Sequence, residues 1–160
     1  MALCGALFDA IGIHFGLYKR VERARINASD QSTGQAADLE CIDMEDKIIL
    51  AIEVKDRILT LGDVEDTLRK SRRRKIKDIF FSTPGVKSKD ESALREIILR
   101  AFSSGQNIYV FDFFTFARSI LALGGEPIRI SFLQKIGEHL DTWNTQPVHR
   151  QAWKKILESI

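Results

Sequence analysis

The stretch from Ala36 to Arg57, AADLECIDMEDKIILAIEVKDR, leaves few folds open to this chain. It reads as two β-strands joined by a short turn. The first strand is expected over about Ala37 to Asp43, the turn at Met44-Glu45-Asp46-Lys47, and the second strand over about Ile48 to Lys55. Ile48 to Ile52 is an uninterrupted apolar run, as in a strand covered on both faces. Charge returns where the run stops, as Glu53-Val54-Lys55. Side chains alternate along a strand, so Glu53 and Lys55 share one face and Val54 takes the other. Asp38 and Glu40 share a face of the preceding strand by the same rule. Charge on a buried strand is costly unless it is paired or bound to a metal. One carboxylate from each strand, with a lysine beside them, suits a hard divalent cation such as Mg²⁺. The alternative is an ion pair at a strand end, which contributes little. Periodicity alone leaves both readings open.

Residues 2–15 are expected to form a first helix, with Leu3, Leu7, Ala10, Ile11 and His14 on its sheet-facing side. Residues 18–28 alternate as a strand, and Asn27 to Gln35 is a polar loop leading to Asp38. A helix over Leu61 to Lys75 starts with Thr60 and Asp63 in a capping box. It ends in RKSRRRKIK, residues 69–77, with seven basic residues out of nine. Helical spacing puts Arg69, Arg72 and Arg73 on one face and Lys70, Arg74 and Lys77 on another. So much charge exceeds what a helix dipole needs. It is either a solvated helix end or a contact for a phosphate backbone.

Asp78 to Thr83 reads as a buried strand stopped by Pro84-Gly85. Ser88 to Glu91 has the spacing of another capping box. It leads into a helix with Leu94, Ile97, Ile98, Ala101 and Phe102 on one side and Gly105 at its end. Residues 107–114 form a further strand. Strand, helix, strand at these lengths is a parallel crossover. The sheet is therefore expected to be mixed, an antiparallel meander carrying the acids followed by parallel strands. Helices are expected over Phe114 to Leu123, from Ser131 to about Trp143 with Leu133, Ile136 and Leu140 inward, and after Pro147 with Trp153, Ile156 and Leu157 inward. These are expected to cover the sheet or form a subunit contact, which makes a homodimer one expected partner. His14 reads as a core or edge residue, and His139 and His149 read as surface histidines.

A length of 160 residues fits one domain, a core over about 1–115 with a helical part over about 116–160. The net charge is only +2, so any nucleic-acid surface has to come from local clustering. Cys4 and Cys41 offer neither a disulfide framework nor zinc spacing. No run approaches the ~20 apolar residues of a membrane span. The apolar start contains Asp9 and lacks a basic leader, so a signal peptide is not expected. A cytoplasmic location with reduced thiols is expected. The early entry into a helix is what the catalytic part of a longer protein would show. No Gly-rich phosphate loop is present, and ATP use is not supported.

Asp38, fourteen intervening residues and then Glu53-Val54-Lys55 resembles the PD-(D/E)xK nuclease signature of type II restriction endonucleases and Holliday-junction resolvases. Ala37 stands where the signature usually has proline. The resemblance covers about the first 115 residues in outline and is specific at three or four positions. It implies an α/β fold with a mixed central β-sheet flanked by helices, a core in the order αβββαβ extended by a parallel strand and C-terminal helices. It also implies a Mg²⁺-dependent DNA endonuclease, with Mn²⁺ as a substitute ion. Asp38, Glu53 and the Val54 carbonyl would hold the metal, and Lys55 would orient water or stabilise charge on phosphorus. Glu40 and, on the first helix, Asp9 would be accessory acids. Arg69, Lys70, Arg72, Arg73 and Arg74 would meet DNA, and Gln35 would lie near a phosphate. Two further readings are a non-cleaving DNA-binding module on the same fold and a scaffold whose basic helix binds an acidic protein.

Overall fold

A computed structural model describes residues 1–23, 36–143 and 145–159. Its described residues hold one five-stranded sheet, formed by β1 (Arg20–Arg23), β2 (Leu39–Ile42), β3 (Ile48–Val54), β4 (Asp78–Ser82) and β5 (Asn107–Phe111). The strands lie side by side in chain order. The first three are antiparallel, and β3, β4 and β5 run parallel to one another. This is the expected mixed sheet, with two parallel crossovers rather than one. The first uses α2 (Leu61–Arg73) and the second α3 (Glu91–Ser103). The segment expected to continue the first strand to residue 28, together with the loop bearing Gln35, lies largely outside the described residues.

Alternation along the strands sorts the core into two layers. On one face Ile79, Phe81 and Ile108 meet Val64 and Leu68 of α2 and Leu94, Ile97 and Ala101 of α3. On the other, Leu39, Cys41, Ile52 and Phe80 meet Leu7, Phe8 and Ile11 of α1 (Ala2–Phe15). Ala117 of α4 (Phe113–Leu123) and Ile128 of α5 (Gly125–Thr142) complete that layer. Phe8, Phe80 and Phe116 pack together at its centre, with ring centroids 4.8 to 5.7 Å apart, Phe8 stacked on Phe116 and edge-on to Phe80. The buried side of α1 is wider than expected because the helix lies between the sheet and α5. Gly5 is needed there, since a Cβ at that position would run into the Trp143 ring.

Several local expectations are corrected. Leu3 and His14 of α1 are exposed. Ser88–Asp90 is a 3-10 turn, and neither it nor α3 has a side-chain cap, so the capping box expected there is absent. Phe102 faces solvent. β5 stops at Phe111 because the Asp112 carboxylate accepts the Thr115 N–H and starts α4. α5 begins at Gly125, not Ser131, because Pro127 falls within the opening turns, where a missing N–H does no harm. α6 (Pro147–Leu157) fully buries none of its side chains: Trp153 packs against Ala6, Ile136 and Leu140 as expected, but Ile156 and Leu157 are half exposed.

Candidate active site

The β2–β3 ladder pairs Leu39 with Ile52 and Glu40 with Ala51. One residue further, the register sets Asp38 opposite Glu53. Asp38 accepts the Val54 N–H on Oδ2 at 2.9 Å. A strand residue's N–H and C=O point to the same side, so the Val54 carbonyl also leaves β3 toward Asp38. Lys55 is tied to β4 through its N–H, which donates to the Ser82 carbonyl at 2.8 Å. Its Nζ donates to Glu53 Oε1 at 2.6 Å and stands 3.9 Å from Asp63 Oδ1. The Glu53 and Lys55 side chains are only 15% and 21% exposed, so this pair is less screened than a surface ion pair. A cleft lined by Val54, Lys55, Ser82 and Phe113 opens at the same end of the sheet but toward Met1, Leu3 and Cys4 on the α1 side, and neither Asp38 nor Glu53 lines it.

Burial and then the charge of Asp38 push the Glu53 carboxyl above its usual range, against the pull of Lys55 and Lys70. Burial would lower the Lys55 ammonium, but its bond to Glu53 and the surrounding carboxylates outweigh that and hold it raised. Asp63 belongs to the Thr60 capping box and is gripped by the Arg57 fork at 2.8 Å on each oxygen. That fork holds its carboxyl well below the usual range.

The basic run does not act as one surface. Arg69 pairs with Asp66, and Arg72 donates to the buried Gln106 at 2.6 Å. Lys70 is half-buried, and its charge acts on Glu53. Arg74 is bound by Glu40, whose carboxylate is buried and also accepts the Ala36 N–H at 2.8 Å. Arg73, Lys75 and Lys77 are exposed. α2 ends at Arg73 rather than Lys75, so Lys77 lies beyond the helix and shares no face with Lys70. Asp63, Lys70 and Arg74 recur at helical spacing, which places them along the acids of β2 and β3. That stripe was visible in the sequence, but its partners were not.

Asp9 corrects an expectation. It lies on the opposite face from Glu53, accepting the Val21 N–H at 3.1 Å and meeting His139 Nε2 at 2.6 Å. Those partners occupy both of its oxygens, away from Asp38 and Glu53. His139 is itself buried, against Trp143 with ring centroids 3.7 Å apart, and is not a surface residue.

Among the described residues no three His, Cys, Asp or Glu side chains gather to hold a metal ion. Asp38 and Glu53 nevertheless fit Mg²⁺. That ion is commonly held by one or two carboxylates while keeping several waters. A buried carboxylate, Glu53, whose charge is further disfavoured by Asp38 is the donor chemistry it suits.

Residues 1–85 match the family model described as the SacI restriction endonuclease C-terminal domain. The chain belongs to this family. The match runs from α1 through β4 and contains every residue of the acid–lysine cluster, so the family supports a relationship to type II restriction endonucleases. No curated protein matches the chain. Among the described residues no helix is long and apolar enough to cross a membrane.

Proposed function

We propose that this chain is a metal-dependent DNA endonuclease of the PD-(D/E)xK kind. The observation that carries the reading is the meeting of Asp38 and Glu53 at one end of the β2–β3 ladder, with Lys55 bonded to Glu53, in a restriction endonuclease family. Asp38, Glu53 and the Val54 carbonyl would hold Mg²⁺, or Mn²⁺ in its place. When bound, such an ion offsets phosphate charge and makes water acidic enough to supply a nucleophile. Lys55 donates to an oxygen of the scissile phosphate as negative charge gathers there. It can leave Glu53 for that oxygen by a small side-chain rotation, because its backbone is fixed to β4. The exposed Arg73, Lys75 and Lys77 draw in the DNA backbone without reading sequence.

The test is incubation of plasmid and four-way-junction DNA with the protein, with and without Mg²⁺, beside Glu53→Ala. Cleavage by wild type only when the ion is present, and none by the variant, is the expected result. DNA binding without cleavage of either substrate would instead make the chain a non-cleaving DNA-binding module.

A further inference from the structure

Glu40 and Arg74 are 34 residues apart and meet at the join between β2 and the end of α2. Glu40 is 2% exposed, so its charge requires a partner. It has two, the Arg74 guanidinium and the Ala36 N–H. Ala36 lies two residues before Asp38, and both Ala36 and Ala37 are buried.

The end of α2 makes this arrangement. The Ile76 N–H donates to the Ser71 carbonyl at 3.0 Å and the Lys75 N–H to the Arg72 carbonyl at 3.1 Å. This is a Schellman closure, with Lys75 in the left-handed conformation at φ 60° where glycine is usual. The turn directs Arg74 to Glu40. It also buries Ile76 in a small cluster with Ala36, Ala37 and Ala51. The segment before Asp38 is thus fixed at its backbone by Glu40 and at its side chains by Ile76.

We infer that Glu40 and Arg74 form a positioning clamp that sets Asp38 against Val54 and Glu53, and that Arg74 supports the site from within instead of contacting DNA. The role given to Asp38 rests on the endonuclease reading, whereas the clamp itself is a statement about the protein without metal. Arg74 and Glu40 are positioning residues here, since Arg74 acts on the site through Glu40, and Glu40 through the Ala36 N–H.

Amide hydrogen exchange tests the clamp, because the Ala36 N–H bonds to Glu40 and the Val54 N–H bonds to Asp38. Phe81, in the central ladder, reports global opening. Arg74→Met is expected to speed exchange at Ala36 and Val54 by about tenfold or more beyond any change at Phe81. Titration with Mn²⁺ should show affinity about 10- to 100-fold weaker, as for other residues that orient metal ligands. The salt dependence of duplex binding should stay as in wild type. Arg74→Lys, which keeps the charge but not the fork, should fall between wild type and Arg74→Met and serves if Arg74→Met does not fold. The clamp is refuted if exchange at Ala36 and Val54 only follows Phe81. It is equally refuted if Arg74→Met lowers the salt slope while metal affinity holds. Wild type that binds no Mn²⁺ would sink the metal reading of Asp38, and the exchange comparison would still decide the clamp.

Discussion

Replacing Lys55 by alanine separates its electrostatic from its chemical role. Its Nζ lies 2.6 Å from Glu53 Oε1, and both side chains are mostly buried. A unit charge about 4 Å from a carboxylate is worth ~1 kcal/mol in water and ~4 kcal/mol at the effective dielectric of a protein surface. Removing it leaves Glu53 raised by burial and by Asp38 with less to oppose them. A carboxyl whose proton is held more tightly loses a bound cation as pH falls through that higher value. The pH midpoint for Mn²⁺ binding should therefore move upward. Well above that midpoint the affinity should match or exceed wild type, since the ion no longer competes with an ammonium. Cleavage there should still fall by about 10²- to 10³-fold, because one charge-stabilising donor is worth ~3–4 kcal/mol in the transition state. Calorimetric Mn²⁺ titrations across pH, with single-turnover cleavage above the midpoint, make the measurement. Unchanged cleavage with an unmoved midpoint would return Glu53 and Lys55 to the status of a strand-end ion pair.

Arg73→Ala should lower the salt slope of DNA binding by about one. Arg72→Ala should leave that slope alone and lower stability by about 1–3 kcal/mol, because it breaks the bond to the buried Gln106; a thermal melt beside a salt titration distinguishes them. Lys75→Gly should stabilise the protein by about 0.5–1 kcal/mol in urea titration, since glycine takes φ 60° without strain. Asp63 is held low by Arg57, so its stabilisation is complete above the usual carboxylate range and fades as pH falls below about 4. Asp63→Asn should thus be less stable at neutral pH and lose less on acidification, as read from melting temperature against pH.

What the sequence carried was mostly local. The apolar run Ile48–Ile52 and the stops at Pro84-Gly85 and Gly105 located strands β3 to β5 and the crossover over α3. Alternation put Asp38 with Glu40 and Glu53 with Lys55 on shared strand faces, and the resemblance to the nuclease signature singled out Asp38, Glu53 and Lys55. What escaped was set by contacts between distant residues. His139 is buried because Asp9, 130 residues earlier, bonds to it, and nothing near a lone histidine signals that. Arg74 read as one more cation in a basic run, and only the fold shows that Glu40 takes it. Ser88 to Glu91 had the spacing of a cap, but the chain closed a 3-10 turn with backbone bonds, and the Ser88 hydroxyl played no capping part.

The division of the sheet into two faces bears on how substitutions combine. Glu40, Glu53, Lys55, Lys70 and Arg74 lie on the α2 side and share charges, so paired changes among them should be strongly non-additive. The link from α1 to α5 through Asp9, His139 and Trp143 lies on the other side, with the buried strands between. Changes there should add independently to changes at the acids. A chain built this way can alter its chemistry on one face while the aromatic packing on the other goes on holding the fold.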